Sequence, residues 1–251
     1  MLTKDQAVCI RVCDYSETSQ IATFFARATG KVGVIAKGSK RPKSPFGGPI
    51  EVFSHGGIVF SHSADAKLAT LTEFEQQPTF AGLAKNLFAM NCCLLGVELL
   101  NDLTKDYDPH PELFDSFFRF LQNSNETQAT GHESQAAIIL LILFQLSLLK
   151  DVGLQPVLNH CVNCKTSIEH RASSIEFYFS SSANGLVCRD CEAAFPDRIK
   201  LTGSVAASLA DLKLLAETNE KTLNEIEKVL ISHFTDILGH PPKMAKYVLK
   251  S

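Results

Sequence analysis

In residues 1–80 apolar side chains follow a period of two; from Gly82 onward the period becomes three to four. The run AVCIRVCDY is the first strand candidate, with Val8, Ile10 and Val12 on one face. SQIATFFARATGKVGVIAKG reads as two strands joined near Thr29-Gly30, where glycine tolerates the angles of a tight turn. IEVFSHGGIVFSH and KLATLTEFE bring the number of candidates to five. Five short strands with glycine-rich breaks predict a five-stranded OB-type barrel, with a small sandwich as the alternative.

Beyond Gly82, Leu83, Leu87, Met90, Leu94, Val97 and Leu100 form a helical stripe. TKDYDPHP then breaks the pattern, ELFDSFFRFLQ resumes it, and residues 123–134 read as a polar loop without an assigned role. A helix over residues 134–150 should stop at Gly153 and Pro156. Its apolar heart, AAIILLILFQLSLL, is 14 residues long and includes Gln145 and Ser147. A bilayer span needs about 20 residues, so this run predicts a buried helix and no membrane. SVAASLADLKLLAE reads as one further helix. TLNEIEKVLISHFTDIL reads as another, with Thr222 and Glu225 as a capping box and Leu223, Ile226, Leu230, Phe234 and Ile237 as its stripe. Gly239 fits a C-terminal cap, and Pro241-Pro242 forbids continuation. The pattern predicts an α+β multidomain chain: an OB-type barrel over residues 1–80, then a helical domain over residues 81–251 carrying an insert at about 158–195.

The insert contains four of the eight cysteines, as CVNC (Cys161, Cys164) and CRDC (Cys188, Cys191). Two CxxC pairs supply four thiolates, enough to close a tetrahedral Zn2+ shell. The strand-like IEFYFS and the turn SANGLV between them suggest a zinc ribbon. Four protein ligands leave no open position, so one structural ion is expected and no metal chemistry. His160 beside Cys161 reads as a bystander. His110-Pro111-Glu112 mimics the HxE of zinc nucleobase deaminases, but His160 stands where their PCxxC needs proline, and the second CxxC pair would be left unused. Cys9 and Cys13, four apart in a strand, and Cys92-Cys93, in a helix, read as small buried residues. The N-terminus MLTKDQAVCIRV lacks a secretory pattern, which favours a reducing cytoplasm over disulfides.

Charge sharpens this picture at one place. The chain carries 24 Lys+Arg against 27 Asp+Glu, a net −3, yet residues 18–50 hold no acid and six bases: Arg27, Lys31, Lys37, Lys40, Arg41 and Lys43. The last four fall in a loop kept irregular by Gly38, Pro42, Pro45, Gly47 and Gly48. The loop lacks GxxxxGKS order, and the chain has no GxGxxG or GxSxG. A cationic loop on an OB-type barrel suits phosphate contact; a solvated loop that only aids solubility is the plain alternative. Phe46, in the loop, is the aromatic singled out for base stacking.

Together these residues resemble one family. DYSETSQIATFFARATGKVGVIAKGSKRPKSPFGG is similar to the N-terminal signature of the RecO family of bacterial recombination mediators: an acidic-aromatic start, a Ser-rich turn, GK, then AKG-x-[RK]-RP-x-S. CVNC followed by SANGLVCRDC resembles the family's zinc-binding insert, and GHPPKMAKYVL its C-terminal end, so the resemblance spans essentially the whole chain. It implies an N-terminal OB fold, a helical domain and a four-Cys zinc site. It implies binding of single- and double-stranded DNA, annealing of complementary strands, and no catalytic residue. The implied partners are RecR, the C-terminal tail of single-stranded-DNA-binding protein and, indirectly, RecA, which is loaded at gaps. The implied location is the bacterial cytoplasm, at the nucleoid. Lys31, Lys37, Lys40, Arg41 and Lys43 match the family's basic DNA-contacting segment, and Cys161, Cys164, Cys188 and Cys191 its metal ligands. A scaffold of the same fold that binds DNA weakly is the competing expectation; a zinc enzyme acting on nucleic acid is disfavoured by the filled thiolate shell.

Overall fold

The computed structural model describes residues 2–62, 67–78, 80–127, 133–167 and 176–249. The chain forms two compact units, one made of Met1–Lys85 with Asn101–Gln122, the other of Asn86–Leu100 with Asn123–Ser251.

In the first unit, strands β1 (Leu2–Asp14), β2 (Gln20–Ala26), β3 (Gly30–Ala36), β4 (His55–Ser61) and β5 (Ala69–Gln76) close into a barrel in the order β1-β2-β3-β5-β4. β1 is long enough to pair with β4 along its first half and β2 along its second. The parallel pairs Val34↔Ala69 and Ile35↔Thr70 close the ring. Phe24, Val32, Val34, Ile58, Phe60, Leu71 and Phe74 fill it. Phe24 meets Phe74 edge to face at 5.2 Å.

β1 does not keep one face throughout. A β-bulge between Cys9 and Arg11 inserts Ile10 as an unpaired residue, and an extra residue turns every later side chain to the other face. Ala7 and Cys9 point into the core before the bulge and Val12 packs against it afterwards. Cys13, expected to be buried beside Cys9, is therefore exposed, whereas Cys9, Cys92 and Cys93 are buried.

Residues 101–122 join the barrel's unit rather than the helical one. Phe25, on the outside of β2, packs against Phe114 and Phe117. Gly30 lets the backbone of Asp108 approach so closely that a Cβ would lie 2.1 Å from its carbonyl oxygen. The amide of Tyr107 donates to the carbonyl of Lys31.

The second unit is built around α3 (Glu133–Asp151) and α5 (Glu220–Leu238). α3 has 19 residues, longer than its apolar run suggested, and by length and composition it is able to cross a membrane. Its packing makes it a core helix: Gln145 is fully buried and its Nε2 donates to Glu227 Oε1 of α5 at 2.8 Å. Burial pushes the Glu227 carboxyl up to about 7. Glu227 Oε2 and Gln145 Oε1 are also buried and have no hydrogen-bond partner.

Other helices depart from the sequence pattern. α1 (Leu87–Leu103) follows a 3-10 turn at Leu83–Lys85 and buries Ala89, Cys92, Cys93, Gly96, Leu99 and Leu100; Leu87 of the expected stripe is exposed. α2 (Pro111–Glu126) runs into the expected polar loop, of which residues 128–132 lie outside the described residues. SVAASLADLKLLAE is broken into α4 (Gly203–Ala210) and a 3-10 helix at Leu212–Glu217, because Asp211 turns its side chain onto the amide of Lys213. α5 is capped by Asn219, which accepts from the amide of Thr222; no capping box starts at Thr222, and Glu225 instead accepts from Thr202. Gly239 ends α5 in the left-handed conformation, as expected. After the prolines, the short α6 (Ala245–Val248) closes the chain.

Candidate nucleic-acid interface and metal centre

Residues 37–54 connect β3 to β4 without regular structure, yet the loop is fixed at both ends. On the way out, Gly38 N donates to Ser19 Oγ and Lys40 N to the carbonyl of Thr18. On the return, the buried Gln20 side chain takes the place of a strand neighbour: its Nε2 donates to Ile50 O and its Oε1 accepts from Ile50 N. Between these anchors Phe46 drops into the barrel. Its carbonyl accepts from Gln76, and the turn at Gly47 (φ 77°) lets the chain double back. Phe46 is 2% exposed and belongs to the barrel core. A ring without a free face stacks no base, so the role expected for Phe46 is withdrawn. The exposed aromatic beside the loop is Tyr15, 63% exposed in the β1–β2 turn against which Lys40 is hydrogen-bonded.

The six bases of residues 18–50 divide sharply. Lys37, Lys40, Arg41 and Lys43 are exposed on the loop. Among the described residues no acidic side chain pairs with Lys37, Arg41 or Lys43, while Lys40 Nζ lies 2.6 Å from Asp14. Arg27 makes a two-pronged ion pair with Asp115 at 2.8 and 2.9 Å. Lys31 is largely buried at its side chain: Nζ donates to the carbonyls of Asn101 (2.7 Å) and Thr104 (2.8 Å) and faces Asp106 at 3.7 Å. Its charge holds residues 101–106 to the barrel and is not free for phosphate, which corrects the DNA-contacting role expected of it. Lys31 sits in a strand, where its neighbours decide its use; the other four sit on a loop.

In the second unit, β6 (Phe177–Ser180) and β7 (Gly185–Cys188) form a hairpin, and β8 (Ile199–Leu201), beyond the expected end of the insert, adds a third strand to β6. Residue 175, at the head of the expected strand, lies outside the described residues. Asp197 ties the hairpin turn by accepting from Ser180 and from the amide and hydroxyl of Ser182. The hairpin places Cys188 and Cys191 opposite the turn of Cys161 and Cys164, and Val162 N donates to Leu186 O. The Sγ atoms of all four cysteines lie within 4.8 Å of one another. A tetrahedron with 2.3 Å Zn–S bonds has edges of about 3.8 Å, so the donor set fits one thiophilic ion with little contraction.

Thr166 and Asn163 provide hydrogen bonds to Cys164 and Cys191. Hydrogen bonding with Thr166 holds the Cys164 thiol down at about 6, while burial pushes Cys188 up to about 12. Metal uptake at such a set releases protons. His160 bonds to Asn159 and does not belong to the ligand group.

Residues 1–80 match the family described as Recombination protein O N terminal, and residues 84–245 match Recombination protein O C terminal. The DNA repair protein RecO of Bacillus subtilis (strain 168) is 30% identical over 246 residues, 95% of this chain and 91% of its own length. Its namesake in Bacillus pumilus (strain SAFR-032) is 28% identical over 255 residues, 99% and 94% of the two chains. The DNA repair protein RecO of Halalkalibacterium halodurans is 30% identical over 209 residues, 83% of this chain and 76% of its own.

Proposed function

The chain belongs to the RecO family of DNA repair and recombination proteins, and from that premise we propose that it is a non-catalytic recombination mediator that grips DNA with its barrel loop. The observation that carries this reading is the pinned loop of residues 37–54, which presents Lys37, Lys40, Arg41 and Lys43 to solvent on a closed barrel. Each cation that reaches a phosphate releases a counterion, which supplies affinity without sequence preference. Tyr15 adds a stacking face for an unpaired base. Annealing complementary strands requires their phosphate repulsion to be screened, and the loop does this without a chemical step. The acidic remainder of the chain limits indiscriminate binding. In the full role the protein binds single- and double-stranded DNA and the C-terminal tail of single-stranded-DNA-binding protein, and with RecR it helps load RecA on gaps, in the cytoplasm at the nucleoid. Cys161, Cys164, Cys188 and Cys191 hold one Zn2+, which supplies a structural cross-link with no open coordination position.

The test is fluorescence anisotropy of a labelled single-stranded oligonucleotide over a salt series. With four cations on phosphates, the log–log slope should be about −2.8, and a Lys37/Lys40/Arg41/Lys43→Ala variant should lose most of it. Lys31→Ala should leave the slope unchanged and lower stability by about 1.5–3 kcal/mol, the worth of charged hydrogen bonds. Equal slopes for the wild type and the loop variant would show that DNA binds elsewhere. Salt-insensitive binding with partners retained would favour a protein scaffold.

A further inference from the structure

A second stretch of the chain repeats the charge pattern of the loop. After Asp236 there is no acidic residue, and the last fifteen residues contain His240, Lys243, Lys246 and Lys250; Lys250 lies outside the described residues. The stretch is firmly rooted in the helical unit. Pro242, Ala245 and Val248 are buried, and the Glu98 carboxylate accepts from the amides of Lys243 (2.7 Å) and Met244 (2.8 Å). Glu98 is the one acid in these contacts, and both of its oxygens are occupied by backbone.

On this rooted helix Tyr247 is 54% exposed. Lys246 Nζ lies 4.8 Å from its ring centroid, over one face. Lys243 and Lys246 are both exposed. A large exposed aromatic ring with one cation over its face and a second exposed lysine four residues earlier in the chain matches the two features that unpaired nucleic acid offers: a free base face and a phosphate.

We infer that Tyr247, Lys243 and Lys246 form a second contact for single-stranded nucleic acid, on the helical unit, with a base stacked on Tyr247 and phosphates facing the lysines. This rests on the DNA-binding reading and adds a site the loop does not include. Bases within a duplex are stacked on one another and offer no such face, so the contact favours single strands.

The chain has no tryptophan, so Tyr247→Trp places a unique reporter at the site. Oligothymidylate should quench its fluorescence, and duplex of equal length should not. Tyr247→Ala should weaken single-strand binding by roughly 5- to 20-fold, the lower range of one stacked base, with duplex binding changed by less than about twofold. Tyr247→Phe, which keeps the ring, should bind like the wild type. Lys243→Ala with Lys246→Ala should flatten the single-strand salt slope by about 1.4. An unquenched Tyr247→Trp together with wild-type affinity in Tyr247→Ala, while the loop variant still loses binding, overturns this site alone. A reporter that answers to an Asp/Glu-rich peptide but not to oligothymidylate overturns it in favour of a protein partner. Absence of DNA binding by the wild type overturns the mediator reading and this site with it.

Discussion

The cationic loop of residues 37–54 and the two cysteine turns around Cys161–Cys164 and Cys188–Cys191 are both irregular segments hung on small sheets, but they are held in opposite ways. The loop supplies its own fastening: a buried Phe46, the Gln20 amide on Ile50, and backbone bonds from Lys40 to Thr18 and from Phe53 to Cys9. The cysteine turns bury no aromatic of their own, and Asn163, Cys164, Lys165, Arg189 and Asp190 are exposed. Backbone bonds such as Lys165 N to Cys161 O and Cys191 N to Cys188 O shape each turn, and the convergence of four sulfurs joins the two. The difference teaches what each segment is free to do. A loop fixed by apolar and backbone contacts leaves its charges for a ligand. Turns joined through their four thiols have no thiol left over for a ligand.

Removing the metal should have the largest effect. Structural zinc in small modules is worth about 10–16 kcal/mol at neutral pH, and because β6 and β7 are themselves buried here, only part of that should appear as lost stability. We expect one equivalent of zinc per chain by elemental analysis. A strong chelator, or Cys161→Ser, should sharply raise amide exchange in residues 161–167 and 188–191 while exchange in residues 37–54 stays as it was. Equal protection of the cysteine turns with and without metal would break the comparison.

Phe46→Ala is the converse experiment, removing the loop's own fastening. A phenylalanine buried this completely is worth about 3–5 kcal/mol. The midpoint of thermal unfolding should fall accordingly, and DNA affinity should drop although no cation has been touched. If affinity is unchanged, the loop does not need to be fixed in order to bind.

These two segments also differ in how legible they were. The CxxC pairs named four residues whose sulfurs the fold brings together, because two intervening residues leave little choice of geometry. Charge composition identified the loop but not its members. Lys31 and Phe46 were misassigned because their use depends on partners distant in sequence: the carbonyls of Asn101 and Thr104, and the interior of the barrel. Strand number follows from period and glycine breaks, but the bulge at Ile10 left no mark in the alternation, and so Cys13 was placed on the wrong face. Asp211 and Asn219 show the same limit for helices: a local side-chain bond breaks one expected helix and moves the start of another.

The helical unit carries a pH dependence of its own. Glu227 in the native chain is raised from 4.5 to about 7 by burial, so between these values the folded state holds a proton that the unfolded state has released. Stability from this group is complete below about 4.5, falls as pH rises towards about 7, and then levels off; the total is about 3 kcal/mol. Glu227→Gln should abolish that slope in urea unfolding followed from pH 5 to 8. A slope that survives the substitution assigns the titration to another group.

The smallest effect tests the comparison most finely, because it concerns Lys40, the one loop cation engaged by an acid among the described residues. Lys40 Nζ is 2.6 Å from Asp14, whose side chain is 63% exposed, so water screens the pair strongly. Exposed pairs of this kind contribute about 0.2–1 kcal/mol. If the loop is fixed by Phe46 and Gln20 rather than by its charges, Asp14→Asn should change the unfolding midpoint by no more than that. It should also remove Asp14 as a competitor with phosphate for Lys40, tightening single-strand binding by about 1.4- to 5-fold, the same energy read as an affinity. The gain should shrink as salt rises, since screening weakens both the competing pair and the phosphate contact. A loss of stability larger than about 1 kcal/mol, with weaker binding, would instead place Asp14 among the fastenings. The loop would then resemble the cysteine turns, spending a charge to hold its shape.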